Sequence, residues 1–241
     1  MEPSEYENIA RLEEHHWWYR GMAAISLALL NSRVATRHSP PRILDAGCGP
    51  GGMLTRLSAL GRPVGIDFHP LALAHAAGRA PLARAFVEHL PFADASFDLV
   101  TSFDVLYHRA VADDECALRE FARVLRSSGT ILIRVPAWEA LRGAHDVVVH
   151  TQRRYTAVDL DSKLRAAGFR VHRLTYANTL LFPIILLRRK LKTGSTETSS
   201  DVELPSPVVN RLLELVLRLE KLWLSHFNLP VGVSLYALAS K

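Results

Sequence analysis

Residues 43–52 read ILDAGCGPGG, and this stretch decides the fold class. Ile43 and Leu44 begin an apolar strand, Asp45 closes it, and Gly47, Gly49, Gly51 and Gly52 then fall within six residues. A strand that ends in such a loop and opens a helix brings backbone N–H groups and a helix N-terminus up against a small ligand. Glycine is needed there because a Cβ would hold the ligand away or forbid the tight turn. Taken alone, the loop implies a nucleotide-like ligand and nothing narrower.

Outward from the loop, strands and helices alternate. A helical stretch at 22–30 precedes it, and Pro40-Pro41 lead into a first strand at 42–44. A helix over 52–60 is stopped by Gly61. RPVGID (62–67) is a second strand closing on Asp67, followed by a helix over 71–77 stopped by Gly78. Residues 82–87 predict a third strand, and SFDLVTSF (96–103) a fourth, nearly all apolar as buried parallel strands are. Asp113, Asp114 and Glu115 place acids at the start of a helix, where its dipole favours them. That helix repeats apolar residues at Ala117, Phe121, Val124 and Leu125. GTILIRV (129–135) is a fifth strand ended by Pro136; a helix over 158–167 and a sixth strand over 169–174 flank Gly168. Such alternation predicts an α/β fold: an open, mostly parallel sheet with helices on both faces and right-handed crossovers.

The remainder departs from simple alternation. Residues 179–192 predict an apolar helix ending in Arg188, Arg189, Lys190 and Lys192. TGSTETSSD (193–201) is polar and low in complexity, the composition of a mobile linker. Ser206-Pro207 offers a cap and a first-turn proline for a further helix, with Val209, Leu212, Val216, Leu219 and Trp223 along one face. A last strand spans 231–238.

At 241 residues the chain suits one well-buried domain and is short for two. Lys and Arg number 29 against 24 acids, a net charge of +5, and the arginines are spread rather than clustered, so no nucleic-acid partner is expected. Cys48 and Cys116 give neither metal spacing nor a disulfide framework, and no metal site is expected. The first residues are charged and lack an apolar signal region, and the longest apolar run, 180–187, contains Pro183 and is far too short for a bilayer. A cytoplasmic location follows as the expectation.

Asp45 before the glycine loop, Asp67 ending the second strand, LPFADASFD (90–98) after the third and SFDVLYH (102–108) ending the fourth occur in a telling order. Over residues 42–135 the chain resembles the class I S-adenosylmethionine-dependent methyltransferases, specifically the small-molecule type 11 group. HWWYRG (16–21) and HDVVVHTQRRY (145–155) resemble an uncharacterised bacterial subgroup of the same superfamily. The resemblance implies a Rossmann-like methyltransferase fold with a seven-stranded sheet, S-adenosylmethionine as cofactor and a small-molecule acceptor. It divides the chain into an N-terminal helical lid (1–38), a cofactor-binding core (42–176), a helical insertion or cap (177–229) and a final strand (230–241). It sets Asp45 beside the cofactor's ammonium. Gly47 and Gly49 would let the backbone approach, and the helix start after them would offer N–H groups to the cofactor's carboxylate. Asp67 would accept from both ribose hydroxyls. Phe68 would pack on the adenine, Val87 and Glu88 would line its edge, and Phe103 joins the set. Phe86 stands where an Asp is often found, which leaves adenine to backbone groups and apolar contact. Gly47, Gly49 and Gly52 also satisfy G-x-G-x-x-G, so a dinucleotide-binding oxidoreductase is the competing reading. The acid two residues before the first glycine and the LPFADASFD segment argue against it.

Methyl transfer from a sulfonium is an in-line displacement that relies on positioning in a dry pocket, helped by a base when the acceptor is oxygen. Acceptor-side candidates come from loops after the fourth and fifth strands. After the fourth these are Asp104, Tyr107 and His108. After the fifth they are His145 or His150 as base, oriented by Asp146, with Arg153 and Arg154 paired for an anionic group and Tyr155 beside them. His15, His16, Trp17, Trp18, Tyr19 and Arg20 read either as a seal against the core or as a lid that excludes water. The insertion reads as a pocket cap or homodimer contact before it reads as a peripheral membrane contact or a receiver of lipid-linked substrate. A catalytically silent cofactor-binding domain acting as a partner subunit is the alternative from another functional class.

Overall fold

The computed structural model describes residues 1–34, 39–191 and 203–241. The linker predicted at 193–201 and the side chains of Arg188, Arg189, Lys190 and Lys192 lie outside the described residues. Helices α1 (Pro3–Leu12) and α2 (Trp17–Val34) precede β1 (Arg42–Ala46), α3 (Gly52–Leu57), β2 (Arg62–Asp67), α4 (Pro70–Ala76) and β3 (Leu82–Arg84). β4 (Phe97–Phe103), α5 (Asp114–Val124), β5 (Leu125–Pro136), α6 (Ala144–Val148), α7 (Ala157–Ala166) and β6 (Arg170–Ala177) follow. α8 (Phe182–Leu191) and α9 (Pro207–Leu224) form the insertion before β7 (Ser234–Ser240).

Among the described residues the strands make one seven-stranded sheet in the order β3-β2-β1-β4-β5-β7-β6. Pairings from β3 through β5 are parallel, and β7 runs antiparallel between β5 and β6. The fold is the predicted Rossmann-like α/β sheet. Between β1 and β4 the winding direction reverses, so the crevice beyond their carboxyl ends is where a ligand is accommodated.

Alternate strand residues point to opposite faces, and each face has its own core. Leu44, Val100, Ile131, Ile133 and Ala237 pack with Phe121 of α5 and Leu160 and Leu164 of α7. Their neighbours Ile43, Leu99, Leu132, Tyr236 and Leu238 pack with Met22, Ile25 and Leu29 of α2 and with Leu217 and Leu224 of α9. Strands buried on both sides must be apolar throughout, which is why they read as continuous runs.

Several boundaries differ from expectation. β5 begins at Leu125, not at Gly129, because Leu125 already pairs with Phe97; the next partner, Thr130 opposite Leu99, leaves Ser127-Ser128-Gly129 in a bulge. β3 ends at Arg84. Asp113 caps α5 by accepting from the N–H groups of Glu115 and Cys116. Ser206 stands at the start of α9, but its hydroxyl makes no capping hydrogen bond.

The face of α9 read from the sequence is turned outward. Leu212, Leu219 and Trp223 are exposed, while Leu217, Leu224, Glu214 and Glu220 are buried. The sequence pattern fails here because α9 carries leucine on every side, and its two acids find partners inside. Glu214 binds Arg20 of α2 and Arg218. Glu220 accepts from the backbone N–H groups of Asn178, Thr179 and Leu180 and so closes the turn from β6 into α8. Burial raises its carboxyl above the ordinary range, and those N–H groups oppose the shift. Glu220→Ala would strip three backbone donors of their acceptor. The expected loss is about 2–3 kcal/mol of stability in chemical denaturation, whereas Glu220→Gln, which keeps one acceptor oxygen, should lose less.

Candidate active site

The loop after β1 takes its shape from the end of β2. The N–H groups of Gly47 and Cys48 both donate to the Ile66 carbonyl, at 2.9 and 2.8 Å. Gly49 donates to Asp67 Oδ2 at 3.0 Å, and the other Asp67 oxygen accepts from His69 N–H at 2.9 Å. Gly47 has φ +83°, and a Cβ on it would lie 2.3 Å from Val105 Cγ2, so no other residue fits. A Cβ on Gly49, by contrast, would point into open space. Here the backbone itself borders the ligand cavity.

Asp45 is buried beside this loop and accepts from Thr101 Oγ1 of β4 at 2.8 Å. Loss of solvent pushes its carboxyl up to about 7 against the Thr101 bond. Burial likewise raises Asp67, opposed by its two backbone N–H donors. Both acids line one cavity of about 760 Å³, together with Gly47, Gly49, Phe68, Val87 and Phe103. Phe68 lies nearly parallel to Phe86, ring centres 5.5 Å apart, which makes an aromatic wall where the sequence lacks an acid. Glu88 does not join this wall; its Oε1 accepts from Asp113 N–H and helps hold the start of α5.

The N-terminal helices cover the cavity. Tyr6 stacks on His69 at 4.3 Å, and Tyr6, Glu13, His16, Trp17, Trp18 and Tyr19 all line the cavity. His15 faces out and Arg20 turns to Glu214. Gly52 N–H at the start of α3 donates to Glu13 Oε2 at 3.0 Å, and Arg79 holds the other Glu13 oxygen at 2.7 Å, so one of the N–H groups expected to face a ligand carboxylate is engaged by Glu13. Glu13, Tyr6 and Arg134 were not singled out from the sequence. Arg134 had a signal, a charge inside the apolar run ILIRV; it is buried between the Trp18 and Phe103 rings and paired with Asp104 at 2.5 Å. Glu13 follows a charged helix and had none.

On the acceptor side the structure separates the residues that the sequence grouped. His108, Tyr107, His145, Asp146 and Arg154 line the cavity. Asp146 is buried, accepts from Gly143 N–H, and forms a two-pronged pair with Arg154 at 3.0 Å for each bond. Arg153 turns away to Asp114 and the Val111 carbonyl, so the two arginines do not form a fork for an anion. Tyr155 is buried and donates to Asp114 and the Leu106 carbonyl, a structural post under the loop. His150 lies outside the cavity wall and bonds Glu2 at 2.7 Å. His108 accepts from Ala110 N–H on Nδ1, and burial lowers its pKa to about 4, so the ring is neutral near pH 7.

The family profile described as a methyltransferase domain matches residues 44–133. "Probable S-adenosylmethionine-dependent methyltransferase Rv3030" of Mycobacterium tuberculosis is 32% identical over 168 residues, which cover 67% of this chain and 58% of that protein. Through this segment the chain belongs to the class I methyltransferases. It spans little more than half the length of the curated relatives it matches first. Solved structures extend the likeness of fold to the whole chain. A chain of the complex between the Haloferax volcanii Trm112 methyltransferase activator and a methyltransferase superposes with TM-score 0.61 at 18% identity, covering 99% of this chain and 94% of that one. A SAM-dependent methyltransferase of Thermotoga maritima gives 0.59 at 17%, covering 99% and 95%.

The cofactor of class I methyltransferases, S-adenosylmethionine, fits the residues present. Asp45 and Asp67 offer carboxylates to an ammonium and a pair of hydroxyls, the bare backbone at Gly49 leaves the room a Cβ would fill, and Phe68 and Phe86 offer flat apolar surface. Asp45 is protonated below its pKa and then offers an ammonium no charge. Calorimetry with S-adenosylhomocysteine should therefore show affinity falling as pH drops from about 8 to 6, and Asp45→Asn should weaken binding about tenfold or more and flatten that dependence. Asp67→Ala should also weaken binding and, because the Asp67 charge helps to raise Asp45, should move the fall in affinity to lower pH.

Proposed function

We propose that the chain transfers a methyl group from S-adenosylmethionine to a small-molecule acceptor bound in the same cavity. The observation that carries this reading is the pair of buried acids, Asp45 and Asp67, at the ends of adjacent strands on one cavity. S-adenosylmethionine supplies the methyl carbon and a sulfur that leaves as a neutral thioether; the acceptor's lone pair forms the new bond. Asp45 and Asp67 hold the donor, and the loop at Gly49 lets it lie close to the backbone. Trp17, Trp18 and Tyr19 close the cavity against water, which would otherwise solvate the reacting charge.

An acceptor hydroxyl must lose a proton as its oxygen is methylated. His108 and His145, both on the cavity wall, are the candidates to take it; to serve, His108 would have to release Ala110 N–H from its Nδ1 lone pair. Asp104 is held by Arg134 and is not available as a base. Arg154 is neutralised by Asp146, which removes the support for an anionic acceptor group. The cavity wall includes Val149 and Ile185, the latter from α8, and this favours an acceptor with an apolar, lipid-like portion over a small free acid.

Transfer of tritiated methyl to aqueous and organic-solvent extracts of the source cells tests the activity. His108→Ala and His145→Ala should each be measured with the labelled acceptor. One of them should lower turnover by about 10²–10⁴-fold while S-adenosylhomocysteine affinity stays within about threefold; His150→Ala should change neither. Cofactor binding with no labelled product in either extract would instead favour the silent, partner-subunit reading.

A further inference from the structure

The outward face of α9 is apolar along its length. Val208, Leu212, Leu215, Leu219, Leu222 and Trp223 are each more than half exposed. At 3.6 residues per turn they fall within roughly 100° of arc. Phe227, just past the helix, extends the strip and packs on Trp223 at 5.2 Å. Scattered exposed leucines need no explanation, but a continuous strip of this kind does.

Among the described residues, the charges around the strip are mostly basic. Both acids of α9, Glu214 and Glu220, point inward and are buried. Its bases, Arg211, Arg218 and Lys221, flank the strip on one side, and the Arg218 side chain is 61% exposed. Beside them is a shallow hollow between α9 and α2 that gathers Arg20, Arg56, Arg218 and Lys221 around the single acid Glu214. α2 contributes no acid to that surface. An apolar strip with terminal aromatic rings, bordered by bases in excess of the one acid Glu214 that pairs Arg20 and Arg218, matches a helix lying in the interface of a bilayer whose lipids are anionic. A second copy of this chain would bring only further bases and apolar surface, with no acid on this face to pair them.

We propose that the outer face of α9 is a membrane-docking surface for anionic lipid bilayers, with the hollow bounded by Arg20, Arg56, Arg218 and Lys221 receiving a lipid phosphate. No helix among the described residues is long and apolar enough to cross a membrane, so the contact is peripheral. α8 reaches the active-site cavity through Ile185, while its Ile184 and Leu187 are exposed and could meet the same bilayer.

Vesicle flotation of the full chain, without methyl donor, tests the proposal independently of any methyltransferase activity. The chain should float with vesicles of phosphatidylcholine and phosphatidylglycerol at low salt. Binding should fall sharply at high salt and on vesicles of phosphatidylcholine alone. Leu215→Glu/Leu219→Glu should reduce binding by about tenfold or more, and Arg211→Glu/Lys221→Glu should do so while leaving the apolar strip intact. Unchanged thermal midpoints and S-adenosylhomocysteine affinity would show that both variants remain folded. Failure of the wild type to float at low salt, or flotation of both variants like the wild type, would overturn the proposal. So would a stable dimer in sedimentation velocity that Leu215→Glu/Leu219→Glu converts to monomer, since the strip would then belong to a second copy.

Discussion

The carboxyl end of β2 governs the active site, because it satisfies the polar groups of a loop that cannot satisfy its own. The Ile66 carbonyl takes two N–H groups of the glycine loop and Asp67 takes a third, while the same carboxylate holds His69 at the start of α4. Backbone donors in a place this poor in water must be paired. Pairing them from the neighbouring strand forces the positive φ values at Gly47 and Gly49. It also fixes the Asp67 carboxylate at the cavity wall. Its lone pairs not taken up by the loop remain for a ligand. One carboxylate thus builds the loop and faces the cavity that the loop encloses.

The lid depends on the same loop. Glu13 reaches across from just after α1 to Gly52 and Arg79, and Tyr6 lies flat on His69, so each contact ties the N-terminal helices to a residue next to the glycine loop or to β2. Burial raises the Glu13 carboxyl while Arg79 and the Gly52 N–H counter it. A charge held in that balance couples the position of the lid to the state of the loop. Arg134 and Asp104 form a polar pair beneath Trp18 in the same cavity wall.

What could be read from the sequence was what the backbone dictates locally. ILDAGCGPGG announced a strand, a tight loop and a helix because glycine spacing and apolar runs have few structural outcomes. Asp45, Asp67 and Phe68 could be placed because strand ends fix where those side chains emerge. The loop at 145–155 could not be read in that way. Its acid, histidines and arginines resembled a catalytic set by composition, but Asp146 selected Arg154 and Asp114 selected Arg153 and Tyr155. Which opposite charges meet is settled by tertiary approach, and residue spacing on an irregular loop carries no information about it. Glu13 was missed for the same reason: its partners lie 39 and 66 positions away.

α9 shows how buried charge can decide an orientation that hydrophobicity leaves open. With leucine on all sides, either face of the helix could have met α2. Turning Glu214 and Glu220 inward is unfavourable unless each is fully bonded. Arg20 and Arg218 meet that requirement for the first, and three N–H groups of the β6–α8 turn meet it for the second. The turn in its own right requires an acceptor for those N–H groups, so the needs of turn and helix are met together. Gly21 permits the resulting close approach, since a Cβ there would lie 2.4 Å from Leu217 Cδ1. The consequence falls on the opposite side of the helix. Once both acids are inside, the outer face is left with apolar side chains and an excess of bases. The character of that surface is therefore a by-product of how the core is charged.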